Sequence, residues 1–275
     1  MKLGVSMWSV VNEFQKGNMD VAKFIDLMHE QGVDGVELLD FFWKDKEKEL
    51  PMAVQKLKNY NMEIACYSIG NDFVLPDEEA REKQIQYVKQ GIDDAVRVGS
   101  YKLRVFSGSP KEGVSYEDGK RWIIECFKEC VKYAEKKGVV LALENHGLFA
   151  GKSQQVKEII EVVGSKYLRS TADTGNFFLV GEKPDEAVDN IKEYIVHVHF
   201  KDFKRSEPGK GYKGLGDVYY VGCVLGQGDV EMKRIVDIIQ SAGYNSYLAI
   251  EFEGADPQIQ GTVESINFVK KLLGG

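Results

Sequence analysis

Short apolar runs alternate with longer amphipathic stretches along the whole chain, and this alternation limits the folds available to it. It is typical of repeated βα units and a parallel sheet. Eight apolar runs predict strands, at residues 2–6, 35–39, 63–67, 102–106, 139–144, 169–173, 195–199 and 247–252. Eight such units close a barrel of about 250 residues, close to the 275 present here. The sequence therefore predicts a single α/β domain over residues 1–275, a (β/α)8 TIM barrel.

Five stretches in which apolar residues return every three or four positions predict helices, at residues 21–31, 78–98, 119–137, 156–163 and 232–242. Four of them are followed directly by glycine, at Gly32, Gly99, Gly138 and Gly243. Glycine commonly ends a helix because it adopts the left-handed backbone conformation at no steric cost. These positions are the predicted helix ends.

Residues 202–228 depart from the βα pattern, with seven glycines and more length than an ordinary strand-to-helix turn. We expect a functional glycine-rich loop over the mouth of the barrel, after the seventh strand. Loop statistics favour a tolerated surface insertion equally well.

Charge and composition exclude several classes of partner. A net charge of −7 leaves no basic stripe for a nucleic acid, and no apolar run is long enough to span a bilayer. The start of the chain lacks the charged and apolar regions of an export signal, so we expect a cytoplasmic protein.

Cys126 and Cys130 lie four residues apart, as on one buried helix face, and form no zinc-binding clip.

Polar residues that end the predicted strands are the candidates for chemistry, because TIM barrels place their active sites at the carboxyl ends of the strands. They are Glu37, Arg104, Glu144, Asn145, His146, Asp173, His197, His199 and Glu251. The predicted strands that carry Glu144, Asp173, His199 and Glu251 are consecutive and hence neighbours in a closed barrel. Three carboxylates in one small space repel one another unless a cation lies between them.

Three oxygen donors and one nitrogen donor suit Mn²⁺ best, with Co²⁺, Mg²⁺ or Zn²⁺ as alternatives. Each residue alone has an ordinary structural explanation, such as a helix cap or a buried histidine. His197 and His199 face the same way and compete for one ligand position; we choose His199, which lies nearer the carboxyl end. Of Glu251 and Glu253 we choose Glu251, which ends the apolar run.

The chain resembles the sugar phosphate isomerase/epimerase family, the xylose isomerase-like barrels that include inosose dehydratases, hydroxypyruvate isomerases and ketose 3-epimerases. The matching segments are Ala-Leu-Glu-Asn-His (142–146), Ala-Asp-Thr-Gly-Asn (172–176), His-Val-His-Phe-Lys-Asp (197–202), Leu-Gly-Gln-Gly-Asp-Val (225–230) and Ala-Ile-Glu-Phe-Glu (249–253). The resemblance implies that Glu144, Asp173, His199 and Glu251 ligate the metal, while His146 and Lys201 reach the substrate. Family members often carry histidine where this chain has Asn176, so that histidine's role is not transferred.

The leading hypothesis is a metal-dependent isomerase or epimerase of a sugar or keto-sugar. A metal-bound enediolate would form, with Glu144 and Glu251 as the acid-base pair. The predicted substrate-binding residues are His146, Lys201, Arg104, Asn176, Trp8 and Glu37. Trp8, Phe73 and Phe106 are the predicted apolar wall of the site.

Three alternatives stay open. A lyase, such as an inosose dehydratase or an enzyme that cleaves keto-glycosides, would form the same enediolate and expel a leaving group. The abasic-site endonuclease branch fits less well, because its trinuclear centre needs more than the four histidines present and a basic face. A non-catalytic binding protein would keep its ligand affinity after metal removal.

The expected partner is a small carbohydrate or polyol, and a homo-oligomer is compatible with the fold.

Overall fold

The barrel predicted from the sequence is confirmed by a computed structural model, which describes residues 1–255 and 257–274. The strands are β1 Lys2–Ser6, β2 Gly35–Leu39, β3 Glu63–Ser68, β4 Lys102–Val105, β5 Val140–Glu144, β6 Leu168–Asp173, β7 Ile195–Phe200, β8 Phe203–Ser206, β9 Tyr212–Lys213, β10 Tyr219–Gly222 and β11 Tyr247–Ile250. Eight of them close into a parallel barrel in the order β1-β11-β7-β6-β5-β4-β3-β2. All parallel strand ends that carry polar residues therefore open on one face.

The helices surround this barrel. They are α1 Val11–Gln15, α2 Val21–Glu30, α3 Lys46–Asn59, α4 Glu78–Val98, α5 Tyr116–Lys137, α6 Ser153–Val163, α7 Asn176–Leu179, α8 Pro184–Ile191, α9 Met232–Ser241 and α10 Gln258–Leu272. Short 3-10 helices occupy Met7–Val10, Asp40–Phe42 and Lys192–Tyr194. The five predicted helices are present as α2, α4, α5, α6 and α9, and five more are additional: α1, α3, α7, α8 and α10.

Helix ends follow local chemistry. Asp77 and Ser115 accept hydrogen bonds from the first-turn amides of α4 and α5, which satisfies donors that have no partner within the helix. Gly99 and Gly138 end the same two helices with φ of 83° and 71°, as predicted for glycine at these positions. Cys126 and Cys130 are both buried on α5 and form no disulfide.

The glycine-rich segment is more regular than a loop. Strands β8, β10 and β9 form a small antiparallel sheet within residues 202–228. Gly222 at the end of β10 bridges to Gly254, which brings this sheet next to the segment that follows β11. The insertion is thereby attached to the carboxyl face of the barrel.

Among the described residues, no helix combines the length and the apolar character that crossing a bilayer requires.

Close packing of β1, β2 and β11 at the amino-terminal end of the barrel depends on a glycine, Gly35. A Cβ atom added at Gly35 would lie 2.7 Å from Cε1 of Tyr247 and 3.0 Å from the carbonyl oxygen of Glu63. The Tyr247 ring is fixed there, since its hydroxyl donates a hydrogen bond to Glu63 Oε2 at 2.5 Å. Neither neighbour is free to move without disturbing the sheet.

We therefore expect Gly35→Ala to lower the free energy of unfolding by about 1–3 kcal/mol, the usual cost of overpacking. Gly70→Ala is the matched control, because a Cβ at Gly70 would meet nothing within 4 Å. Urea unfolding followed by circular dichroism measures both. Equal midpoints for the two variants would contradict this account of the packing.

Candidate metal centre

The four predicted ligands meet at the carboxyl face of the barrel. Glu144 and Asp173 are the last residues of β5 and β6, His199 is the penultimate residue of β7, and Glu251 follows β11 directly. Strand register places Asp173 beside His199, and Ala249, two residues before Glu251, lies on the other side of His199. Ligand atoms of all four lie within 4.8 Å of one another, and all four residues are buried.

His199 Nδ1 lies at the centre of the group. It is 3.3 Å from Glu144 Oε2, 3.6 Å from Glu251 Oε2 and 3.9 Å from Asp173 Oδ2. Within the described chain, His199 Nδ1 has no hydrogen bond of good geometry, and Asp173 Oδ2 is in an ion pair with Lys201 Nζ at 2.8 Å. A buried polar atom without a hydrogen-bond partner is costly. The donor set and the unsatisfied nitrogen of His199 therefore fit a divalent cation held by these four residues.

The carboxylates influence one another strongly. Burial would raise the pKa of Glu144, but the charges of His199 and Arg104 outweigh burial and lower it to about 2. For Asp173, burial and the charges of Glu144 and Glu251 raise the pKa to about 7, against the opposing effect of Lys201. Like-charge repulsion thus leaves one carboxylate of the group prone to hold a proton, as expected where no cation compensates.

Glu37 lies behind the centre, on β2, and is fully buried. His199 Nε2 is 2.9 and 3.0 Å from its two carboxylate oxygens, and His197 Nε2 is 2.9 Å away. Ser68 donates a short hydrogen bond to the same carboxylate. Burial would raise the pKa of Glu37, but the two imidazoles hold it well below its ordinary value. A proton on His199 Nε2, directed at Glu37, leaves the Nδ1 lone pair facing the cluster.

His197 occupies a layer below His199 on the same side of β7. Burial lowers the pKa of His197 to about 4, against the opposing effect of the hydrogen bond that its Nε2 donates to Glu37. It forms a second close group with Glu37 and His199, and it is absent from the group of four. His197 thus lies one layer behind the four candidate ligands.

A cavity of about 340 Å³ opens above the four residues. Five of the predicted substrate-binding residues line it: Trp8, Arg104, His146, Asn176 and Lys201. The other lining residues are Phe41, Phe106, Glu144, Leu179, Tyr212, Glu251 and Glu253.

Two predicted contacts need correction. Glu37 does not line the cavity, because its carboxylate is taken up by His197, His199 and Ser68 below it. Phe73 is fully buried away from the cavity and packs edge-on against Phe127, with ring centroids 5.0 Å apart. Phe106 does form part of the wall, where its ring lies against His146.

Glu144 is held from two sides. The guanidinium Nε of Arg104 is 3.3 Å from Glu144 Oε2, and the Arg104 side chain also stacks on Phe106. Asn176 Nδ2 donates to Glu144 Oε1 at 3.2 Å. Asn176 therefore orients a candidate ligand.

Lys201 is more central than the sequence indicates. Its Nζ atom is 2.8 Å from Asp173 Oδ2, 2.7 Å from Glu251 Oε2 and 2.9 Å from Glu253 Oε1. Burial would lower the pKa of Lys201, but the surrounding carboxylates raise it well above its ordinary value. Lys201 is thus an ammonium ion that contacts two candidate metal ligands.

Sequence reasoning missed Phe41, Leu179, Tyr212 and Glu253 as cavity residues. Glu253 is two residues from Glu251, and the same-side argument that was applied to the histidines would have kept it as a candidate. Tyr212 comes from β9 of the insertion, and its distance along the chain from the other site residues gives no signal.

A larger cavity of about 560 Å³ lies on the flank between α2 and α3, lined in part by Met52 and Tyr60. It lies away from the strand ends, and no residue of either potential metal-binding group in the described chain lines it. The chemistry-bearing residues place the candidate site at the smaller cavity.

The sequence profile of the xylose isomerase-like TIM barrel family matches residues 25–272. The chain belongs to this family, in which an eight-stranded parallel barrel carries the site.

Curated relatives share one name. An inosose dehydratase of Lactiplantibacillus plantarum is 24% identical over 254 residues, which cover 88% of this chain and 84% of that protein. An inosose dehydratase of Lacticaseibacillus casei is 30% identical over 106 residues, 37% of this chain and 35% of that protein.

Solved structures show the same fold with different activities in their names. A D-tagatose 3-epimerase-like protein has a TM-score of 0.79 at 20% identity, covering 99% of this chain and 97% of its own. The probable 3-DHS dehydratase AsbF of Bacillus anthracis has a TM-score of 0.79 at 18% identity, covering 98% and 99%. The IolI protein, solved with a zinc atom, has a TM-score of 0.78 at 17% identity over 100% of both chains. At these identities the likeness establishes the fold alone.

Orientation of His199 by Glu37 leads to a prediction. We expect Glu37→Gln to weaken Mn²⁺ binding by about 10–100-fold, the usual effect of losing such an outer partner of a metal-ligating histidine. Isothermal titration calorimetry on metal-depleted protein measures the affinity, with the exposed Glu207→Gln as control. Direct substrate contact by Glu37 would instead leave the Mn²⁺ affinity unchanged, and that result would reject the assignment.

Proposed function

We propose that the chain is a divalent-metal-dependent isomerase or epimerase of a sugar or keto-sugar. The observation that carries the proposal is the placement of two glutamates from different strands around one histidine nitrogen. Glu144 and Glu251 both line the cavity, and both lie within 3.6 Å of His199 Nδ1. A proton can thus be taken from a bound substrate by one carboxylate and returned by the other.

Glu144, Asp173, His199 and Glu251 would hold the cation, with Mn²⁺ the best match to three oxygen donors and one nitrogen donor. When bound, the cation supplies Lewis-acid polarisation of a substrate carbonyl, which acidifies the adjacent C–H bond.

Glu144 suits the role of base. It lines the cavity, and its carboxylate is unprotonated near neutral pH because the charges of His199 and Arg104 outweigh burial and lower the pKa of Glu144. Its orientation is fixed by Asn176 and Arg104, which leaves little freedom to the carboxylate when it takes the proton. Glu251, which follows β11 directly, would return a proton from its own side of the cavity.

The remaining walls fit a small polyhydroxylated molecule. Trp8, Phe41 and Phe106 supply apolar surface, while His146 and Lys201 supply polar groups. A site with apolar walls and a few directed polar groups is typical of small-ligand binding. The proposed substrate is therefore a small carbohydrate or polyol with a carbonyl group.

A second candidate function is a lyase of the dehydratase type, which the comparisons favour. The relatives from Lactiplantibacillus plantarum and Lacticaseibacillus casei are named inosose dehydratases, and one structural neighbour is named a probable dehydratase. The same base at Glu144 would start that reaction, and a neighbouring acid would protonate the departing hydroxyl. The two reactions diverge only after the first proton transfer.

Incubation with ketoses and keto-inositols in D₂O separates the two functions. An isomerase or epimerase incorporates solvent deuterium at carbon without loss of water, because the proton returns from an exchangeable carboxylate. A dehydratase yields a conjugated product with new ultraviolet absorbance. NMR records the first outcome and absorbance the second; if Mn²⁺-loaded protein gave neither deuterium incorporation nor new absorbance, both functions would be rejected for these substrates.

On a substrate found in this way, we expect Glu144→Gln to reduce kcat by about 10²–10⁴-fold, the usual contribution of a positioned base. Glutamine has nearly the same shape and cannot accept the proton, so circular dichroism should show an unchanged fold. Glu207→Gln, an exposed carboxylate in the insertion, is the control. Full turnover by Glu144→Gln would remove Glu144 from the mechanism.

A further inference from the structure

Lys201 forms ion pairs with two oxygen atoms that would also bind the metal. Asp173 Oδ2 and Glu251 Oε2, which face His199 Nδ1, also lie 2.8 and 2.7 Å from Lys201 Nζ. A monovalent ammonium and a divalent cation on the same two oxygens repel each other at short range in a buried site. Lys201 must therefore give up part of this contact when the cation binds.

Glu253 offers Lys201 another partner. Its Oε1 atom lies 2.9 Å from Lys201 Nζ and belongs to neither potential metal-binding group. The carboxylate is anchored independently of Lys201, since Trp8 Nε1 donates to Oε1 at 2.8 Å and the Tyr212 side chain also hydrogen-bonds to it. Two other parts of the chain, the first 3-10 helix and β9, thus fix Glu253 at the cavity wall.

The Nζ atom of Lys201 already contacts all three carboxylates, and its stem packs against Gly175. A Cβ atom at Gly175 would lie 2.9 Å from Lys201 Cγ and 3.0 Å from Cδ, so the missing side chain there accommodates the stem. The four-carbon stem is flexible, and its ammonium group has three donors for different acceptors. A shift toward Glu253 requires rotation of this stem alone, because Glu253 is already in contact.

We propose that Lys201 is an internal competitor of the divalent cation and that Glu253 relieves this competition by holding the ammonium at the cavity wall. The inference rests on the metal centre of the proposed function and adds a role for two residues that are not ligands. Metal loading would then place the ammonium beside Trp8 and Tyr212, where it faces a bound substrate. Glu253 is a positioning residue that acts through Lys201.

A double-mutant cycle on Mn²⁺ affinity tests the proposal. The proteins are the metal-depleted full chain, Lys201→Met, Glu253→Gln, the double variant and the exposed control Glu207→Gln, all titrated with Mn²⁺ by calorimetry. We expect Lys201→Met to tighten binding by about tenfold, because the competing charge is gone. Glu253→Gln should weaken binding by about tenfold when Lys201 is present and by less than about twofold in the Lys201→Met background.

An equal effect of Glu253→Gln in both backgrounds would overturn the proposal, because it would show a direct charge effect on the metal. Unchanged or weaker binding in Lys201→Met would overturn it as well. If Lys201→Met does not fold, Lys201→Gln takes its place in the cycle, since it removes the charge and keeps a polar end. Failure of the proposed metal centre looks different, because the unsubstituted chain would then bind no Mn²⁺.

Discussion

Repulsion between carboxylates that the barrel brings together is the constraint on which the rest of the site depends. Glu144 and Asp173 end the adjacent strands β5 and β6, and Glu251 follows β11, which is separated from β6 by β7 alone, so the barrel holds the three carboxylates close together. Two cationic side chains compensate part of this negative charge: Arg104 contacts Glu144, and Lys201 contacts Asp173 and Glu251. His199 lies between the carboxylates. A divalent cation would provide the compensation that these groups supply only in part.

A second set of residues holds the first in place. Glu37 fixes the ring of His199 from below, and Asn145 ties β5 to β6 by accepting from the Asp173 amide at 2.6 Å and donating to its carbonyl at 2.9 Å. Asp173 Oδ1 in turn accepts from the amides of Gly175 and Asn176 at 2.9 Å. Hydrogen bonds between strand ends therefore set the geometry of the site. Substitutions that remove one of them should reduce metal affinity more than they reduce the free energy of unfolding.

Much of this organisation could be predicted from the sequence, because it depends on periodicity and order along the chain. Strand β2 begins and ends at the predicted residues, and the four candidate ligands follow from the rule that barrel sites lie at strand ends. Helix α3 was missed because Pro51 and a run of charged residues mask its periodicity. The direction of individual side chains could not be predicted, because it depends on contacts with residues distant in sequence. Glu37 points toward two histidines, and Phe73 packs against Phe127 away from the cavity.

The most direct test of the central claim is a crystal structure of the protein grown with manganese, with anomalous scattering to locate the ion. The account predicts one strong peak per chain, in contact with Glu144, Asp173, His199 and Glu251. A peak elsewhere, or none together with those four side chains separated beyond coordination distance, would contradict it.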